Sequence, residues 1–223
     1  MNLILNIDTA LETASICLAE NGNAIAYSAN HAQKDHAAWL HPAIIKLFSA
    51  QNIPIADIAA IAVSEGPGSY TGLRVGMATA KGLCYALNKP LITISTLKMM
   101  AFAARNEQTE LLAPMIDARR MEVFTAIYSR SLTEILPASN LILEFNSFEE
   151  FINQHTITFF GSGSEKFKAL MSHKNAIFKA IETNATHMVE LSYEKEKQKI
   201  YADLAYSEPY YGKEFHSTVK HTL

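Results

Sequence analysis

Cysteine is scarce in this 223-residue chain, with only Cys17 and Cys84 set far apart inside apolar runs. That excludes a disulfide framework and a cysteine-built metal site, and a reducing cytoplasm is the expected location. No uncharged apolar run approaches the roughly 18 residues of a membrane-spanning helix. The opening Met1-Asn2-Leu3-Ile4 also lacks the basic start and long apolar stretch of a signal peptide. Charge is thin as well, at 18% of residues and a net −3. A protein that holds nucleic acid by its own field needs the opposite balance. What is plentiful is apolar side chain, 49% of the total. A mean hydropathy of +0.04 fits a folded chain, neither disordered nor embedded in lipid. The length allows one domain or two small ones. Residues 1–104 hold six basic and six acidic side chains. So neutral and apolar a first half suggests surface that something else covers.

Alternation and turn residues outline the elements. Leu3, Leu5 and Ile7 mark a strand that Asp8-Thr9 ends; Ala14–Ala19 and Ala24–Ala29 follow, joined by the hairpin signal Asn21-Gly22. Leu40, Ile44, Leu47 and Phe48 share one face of a helix over His36–Ala50, in which Pro42 should bend or delay the first turns. Ile58–Ser64 reads as a buried strand, Gly72–Leu87 as a helix and Leu91–Ile94 as a strand. Thr96–Glu110 reads as a connector, part helical and polar at its end. The pattern then restarts. Ala113-Pro114-Met115-Ile116-Asp117 repeats Ile4-Leu5-Asn6-Ile7-Asp8, and after a turn Val123–Tyr128 repeats the second strand. Strand–Asp–turn–strand occurring twice, half a chain apart, indicates an internal duplication. Leu132–Leu136, Leu141–Leu143, a short helix near Phe148, a strand Ile157–Phe160 and a glycine turn into another helix complete the second copy. The fold class is therefore α/β, with two similar lobes, 1–104 and 105–223, and a cleft between them. A helix around Met188–Ile200 carries lysines alternating with glutamates, which reads as a solvated face rather than an RNA contact. Beyond it, His216–Lys220 reads as a basic tail, disordered or locally docked.

The most informative segment runs Gly66-Pro67-Gly68-Ser69-Tyr70-Thr71-Gly72-Leu73-Arg74-Val75-Gly76. A buried strand enters glycines and small hydroxyls and then a helix N-terminus, with Thr71 placed to cap it. Amides and dipole there suit an anion. The spacing matches neither a P-loop nor a dinucleotide fingerprint, so phosphate cradle and structural turn stand equal. The helix that follows is apolar around nearly its whole circumference, which requires cover on every side. Its small residues Gly76, Ala78, Thr79, Gly82 and Ala86 permit close approach of another helix. Trp39, off the stripe of the earlier helix, supplies an aromatic anchor. A protein interface on these two helices is expected.

Ile7-Asp8-Thr9, the Gly66–Gly76 string, Ala80-Lys81-Gly82-Leu83, and Met115-Ile116-Asp117-Ala118-Arg119-Arg120 with Glu122-Val123-Phe124 together resemble the bacterial TsaB (YeaZ) family of tRNA threonylcarbamoyladenosine (t6A) biosynthesis proteins. The likeness covers the first 130 residues and is looser beyond Ser131. It implies a duplicated actin-like/Hsp70-like ATPase (ASKHA) fold, each lobe a three-stranded antiparallel plus parallel mixed sheet flanked by helices. It also implies a non-catalytic role beside the paralogue TsaD, which transfers threonylcarbamoyl to adenosine 37 of tRNAs reading ANN codons. The ATPase TsaE would be a further partner, a homodimer would form when the chain is alone, and tRNA would be met only through the complex. The interface would use Trp39, Leu40, Leu73, Met77, Ala78, Lys81, Gly82 and Tyr85, while Gly66, Gly68, Ser69, Thr71, Gly72 and Arg74 form a structural loop.

Catalytic chemistry finds little support. The catalytic paralogue holds metal through two histidines one helical turn apart. Here Leu40 stands four residues after His36, while His41 lies about 140° further round the helix, and His31 has the same problem. Ser69 has no nearby base. Nor is there a nucleophile elbow or a His-Glu-x-x-His helix. Asp8, Thr9 and Asp117 mark where actin-like ATPases hold nucleotide, but Leu11, Arg119 and Arg120 replace the phosphate-wrapping residues. Weak, vestigial nucleotide binding at those three residues is the most that is expected, with no other cofactor, no metal and no catalytic residue. The alternatives are a metal- or ATP-dependent carbamoyl transferase of the TsaD type, or the older glycoprotease-like (M22) peptidase label, which these residues do not support.

Overall fold

The computed structural model describes residues 2–31 and 35–212; the His216–Lys220 tail lies outside them. The first lobe is built from β1 (Leu3–Asp8), β2 (Ala14–Glu20), β3 (Asn23–Asn30), α1 (His36–Ala50), β4 (Ile58–Gly66), α2 (Tyr70–Leu87) and β5 (Leu91–Ser95). After α3 (Thr96–Ala103) come β6 (Leu111–Asp117), β7 (Glu122–Ser129), β8 (Glu134–Ile142), α4 (Glu149–Ile152), β9 (Ile157–Phe160), α5 (Ser164–Lys168) and β10 (Ala176–Phe178). A 3-10 turn, Ala185–Met188, then leads into α6 (Val189–Lys197).

The first sheet has the order β3-β2-β1-β4-β5 and the second, read in the same sense, β8-β7-β6-β9-β10. In each, three antiparallel strands are continued by two parallel ones. The duplicated Ile-Asp strands thus occupy the centre of both sheets. The three antiparallel plus parallel strands expected of each copy are observed. Leu132–Leu136 and Leu141–Leu143 merge into β8, where Pro137 is tolerated on an edge strand. The three residues of β10 carry too little pattern to be recognised.

Strand alternation divides each lobe into two cores. Leu3, Leu5 and Ile7 face outward under α1 and α2, meeting Leu40, Ile44, Leu47, Met77 and Cys84. Ile4, Cys17, Ala60, Ala62 and Ile94 face inward. In the second lobe an outer core of Phe148, Phe159 and Phe167 lies under α4 and α5, and an inner core gathers Leu112, Ile116, Phe124 and Phe160.

The inner faces are covered by exchange. Leu97, Met100 and Ala101 of α3, the helical part of the expected connector, close the inner core of the second lobe, and the connector's end over residues 105–110 is polar and largely exposed. Conversely, Met188 and Val189 cover the inner face of the first. Ser192 Oγ donates to Asn6 Oδ1 (2.7 Å), the Ala185 amide to Ser15 Oγ (2.9 Å) and Lys195 Nζ to the Thr93 carbonyl (2.7 Å), fixing α6 there. A division at residues 104/105 assigns α6 to the second lobe, but its contacts are with the first sheet. Lys197 pairs with Glu194 on the exposed side of α6, while Lys199, beyond the helix, pairs with the buried Glu196.

After α6 the chain continues as a strap without regular structure. Ala202 bridges to Leu91 at the free edge of β5, Leu204 packs on the outer core, and Tyr210 reaches the end of β4. Among the described residues no helix is long and apolar enough to cross a membrane.

Candidate interface and cleft residues

Ser69, not Thr71, caps α2, its side chain accepting from the Gly72 amide. The loop before it folds down onto the turn after β1. The Ser69 amide donates to the Ala10 carbonyl (2.7 Å), and Thr9 Oγ1 donates to the Gly72 carbonyl (2.7 Å). A Cβ at Gly72 would overlap the Thr9 carbonyl oxygen, so close backbone approach demands glycine there. Of the two equal readings, cradle and structural turn, the geometry favours the turn.

Asp8 and Asp117, equivalent in the two sheets, sit in opposite environments. Asp8 is fully buried; its Oδ1 accepts from Ser64 Oγ (2.7 Å) and the Ala10 amide (3.0 Å). Oδ2 is buried with no hydrogen-bond partner among the described residues. Desolvation outweighs the two hydrogen bonds and raises its pKa to about 6. Asp117 is exposed and engaged by Lys166 Nζ (2.6 Å) and the Arg119 amide (2.5 Å). Partial desolvation opposes the shift, but those bonds and the charges of Lys166 and Arg119 hold its carboxyl below the usual range. Thr9, the Ser69 amide and Asp117 each have a hydrogen-bond partner within the chain.

The expected interface residues separate into four groups. Leu40, Leu73 and Met77 are a correction: all three are essentially inaccessible, Leu40 and Met77 within the outer core of their own lobe. Leu40 at that position also removes the second histidine a metal pair would need. Lys81 is a second correction, because its ammonium donates to the carbonyls of Ala205 (3.1 Å) and Ser207 (2.9 Å) and so binds the strap. Trp39 is half-buried against the outer core. Ala78, Gly82 and Tyr85 do form an outward stripe, with Tyr85 84% exposed; Ile45 of α1 is also exposed, at 66%. A groove of about 520 Å³ runs between this stripe and the strap, lined by Lys81, Gly82, Tyr85, Leu204 and Ala205.

The strap explains several signature residues that sequence alone left without a partner. A Cβ at Gly66 would overlap the Tyr210 carbonyl oxygen, and the Tyr210 amide donates to the Glu65 carbonyl (2.7 Å). Arg74 lies over the Tyr70 ring at 4.0 Å and donates from Nε to the Tyr211 hydroxyl (3.0 Å). Arg74 is therefore a strap contact rather than a loop residue. Both cysteines are free and buried, and burial pushes each thiol up to about 12.

A family model described as TsaD, tRNA N6-adenosine threonylcarbamoyltransferase, matches residues 27–211. The TsaB protein of Bacillus subtilis (strain 168) is 34% identical over 63% of this chain and 62% of its own length. That of Escherichia coli (strain K12) is 38% identical over 57% and 55%. The chain thus spans less than two thirds of these relatives. Among solved structures, YeaZ from Pseudomonas aeruginosa superposes with a TM-score of 0.79 at 25% identity, covering 95% of this chain and all of that one. An activator of 2-hydroxyisocaproyl-CoA dehydratase from Clostridium difficile, with bound ADPNP, shares the fold alone, with a TM-score of 0.53 at 8% identity over 88% and 96% of the two chains. The duplicated topology is accordingly the actin-like/Hsp70-like (ASKHA) α/β fold. The chain belongs to the TsaD family of tRNA N6-adenosine threonylcarbamoyltransferases and, within it, carries the likeness to TsaB (YeaZ) proteins that its sequence motifs indicated.

Proposed function

We propose that this chain is a non-catalytic docking subunit for TsaD in forming threonylcarbamoyladenosine at position 37 of tRNAs that read ANN codons, with TsaE as a further partner. The observation that carries the reading is the outward stripe of Ala78, Gly82 and Tyr85 on α2. Small residues next to exposed large apolar ones let a second helix pair approach closely and bury an aromatic anchor. In the absence of TsaD the same stripe serves a second copy of the chain. The names of the relatives point to the pathway, and the engaged state of Thr9, Ser69 and Asp117 leaves no nucleotide-dependent step in the proposal.

The family match to TsaD sustains one rival, a metal- or ATP-dependent carbamoyl transferase. Reconstitution of threonylcarbamoyl transfer to tRNA, with TsaD and TsaE and with or without this chain, separates the two. Strong stimulation, with no turnover by the chain alone, is expected. Equal activity without the chain overturns the docking role. ATP hydrolysis or stoichiometric tightly bound metal in the purified chain overturns its non-catalytic character.

A further inference from the structure

The turn between β6 and β7 carries a feature that neither the fold nor the docking stripe uses. Arg119 and Arg120 are consecutive, exposed and both in the left-handed region, with φ of 68° and 50°. Two adjacent left-handed positions in a hairpin turn favour Asn-Gly or Gly-Gly, because a Cβ is disfavoured at each. Arginine brings no backbone advantage at either place. The turn is nonetheless closed, the Ala118 amide donating to the Glu122 carbonyl (3.0 Å) and the Glu122 amide to the Arg119 carbonyl (3.1 Å).

Nearby charge leaves the pair cationic. Asp117 is occupied by Lys166 and by the Arg119 main chain, and Glu122 accepts from Asn140 Nδ2 (3.0 Å). Lys166, Arg119 and Arg120 therefore outnumber Asp117 and Glu122. Among the described residues neither arginine side chain has a hydrogen bond or ion pair. The equivalent turn after β1 is built differently: Thr9 and Ala10 are buried, and Leu11 packs against the inner cores of both lobes. One copy of the duplicated turn closes the lobe junction and the other presents two guanidinium groups on an exposed, hydrogen-bonded turn.

The geometry points to Arg119 and Arg120 as a direct contact for the phosphodiester backbone of RNA. Guanidinium matches phosphate oxygens in a bidentate fork. The inference rests on the tRNA-modifying role proposed above and extends it, since tRNA would then touch this chain as well as its partners. A net charge of −3 keeps the contact auxiliary, a tip that orients rather than a field that captures.

The test is a fluorescence-anisotropy titration of a labelled tRNA reading ANN codons against the assembled complex of this chain with TsaD and TsaE, at several salt concentrations. Two double variants are compared with the wild type, Arg119→Ala with Arg120→Ala, and Arg119→Asn with Arg120→Gly. Both should bind tRNA severalfold more weakly, with a log–log salt slope shallower by about one for each arginine removed. The Asn-Gly variant should also melt at a higher temperature, which excludes misfolding as the cause. Unchanged affinity and slope in the Asn-Gly variant overturn the inference. Loss of the complex in light scattering also overturns it, by showing that the pair holds protein. Failure of the wild-type chain to associate with TsaD instead overturns the docking reading. The titration is then made on the chain alone, where weak salt-sensitive binding removed by the arginine variants supports the contact and its absence refutes it.

Discussion

In the first lobe the two crossover helices on the outer face, α1 and α2, run for 15 and 18 residues; at the same topological places in the second lobe, α4 and α5 run for 4 and 5. The sheets beneath share one strand order. The long helices cover an aliphatic core and still have a second face to spare. The short ones expose their sheet to less cover, and four phenylalanines, Phe148, Phe159, Phe167 and Phe178, fill the space with ring centroids 5.0–6.0 Å apart. Duplication preserved the sheets, while the outer layer diverged into long helices over an aliphatic core in one lobe and short helices over an aromatic cluster in the other.

That contrast can be broken at its glycines first. Gly72→Ala sets a methyl against the Thr9 carbonyl and should cost more than about 4 kcal/mol, enough to abolish folding in urea titrations near neutral pH. Gly163→Ala, in the equivalent loop before α5, meets the Val123 side chain among its first neighbours and should cost less. Equal losses would deny that the first-lobe loop is the tighter of the two. Next in size, Phe159→Ala removes the centre of the aromatic cluster and should destabilise the protein by about 3–5 kcal/mol. A loss under about 1 kcal/mol would mean the cluster is not what holds the short helices.

The paired aspartates give a comparison of opposite signs. The Asp8 pKa rises on folding to about 6, so the proton it keeps stabilises the fold most below the unfolded value of 3.8, and that contribution is lost as pH climbs through 6. Asp8→Asn should therefore stabilise the protein by about 2–3 kcal/mol at pH 7 and flatten its stability between pH 4 and 6. Asp117 is depressed, so its contribution is present at neutral pH and lost on acidification. Asp117→Asn should cost less than about 1 kcal/mol, the scale of an exposed ion pair. Calorimetry across that pH range checks both, and a destabilised Asp8→Asn at pH 7 would refute the desolvation argument. The smallest effect belongs to Gly82→Ala. A Cβ there meets nothing within 4 Å, so removing an interior helix glycine should add about 0.5–1 kcal/mol.

Much of the sheet architecture was legible because alternation and turn chemistry are local. The central strands and α1 fall where their side-chain periods place them, and the Ile-Asp repeat marks the duplication. The interface was harder to read. A helix that is apolar all round does not reveal which stripe its own sheet takes, and Leu73 and Met77 lie on the buried one. The partner of Lys81 lies 124 residues away, and that of Arg74 137, in a strap with no periodicity to mark it. The signature from Gly66 to Lys81 thus combines a tight turn with a seat for the chain's own C-terminal segment, and no local pattern separates those demands.

The docking role proposed for the long-helix lobe is tested most directly by light scattering of the Gly82→Glu variant with and without TsaD. A folded monomer that forms neither a homodimer nor a complex with TsaD is the predicted result. A complex of unchanged size and affinity would show that the stripe of Ala78, Gly82 and Tyr85 is not where partners bind.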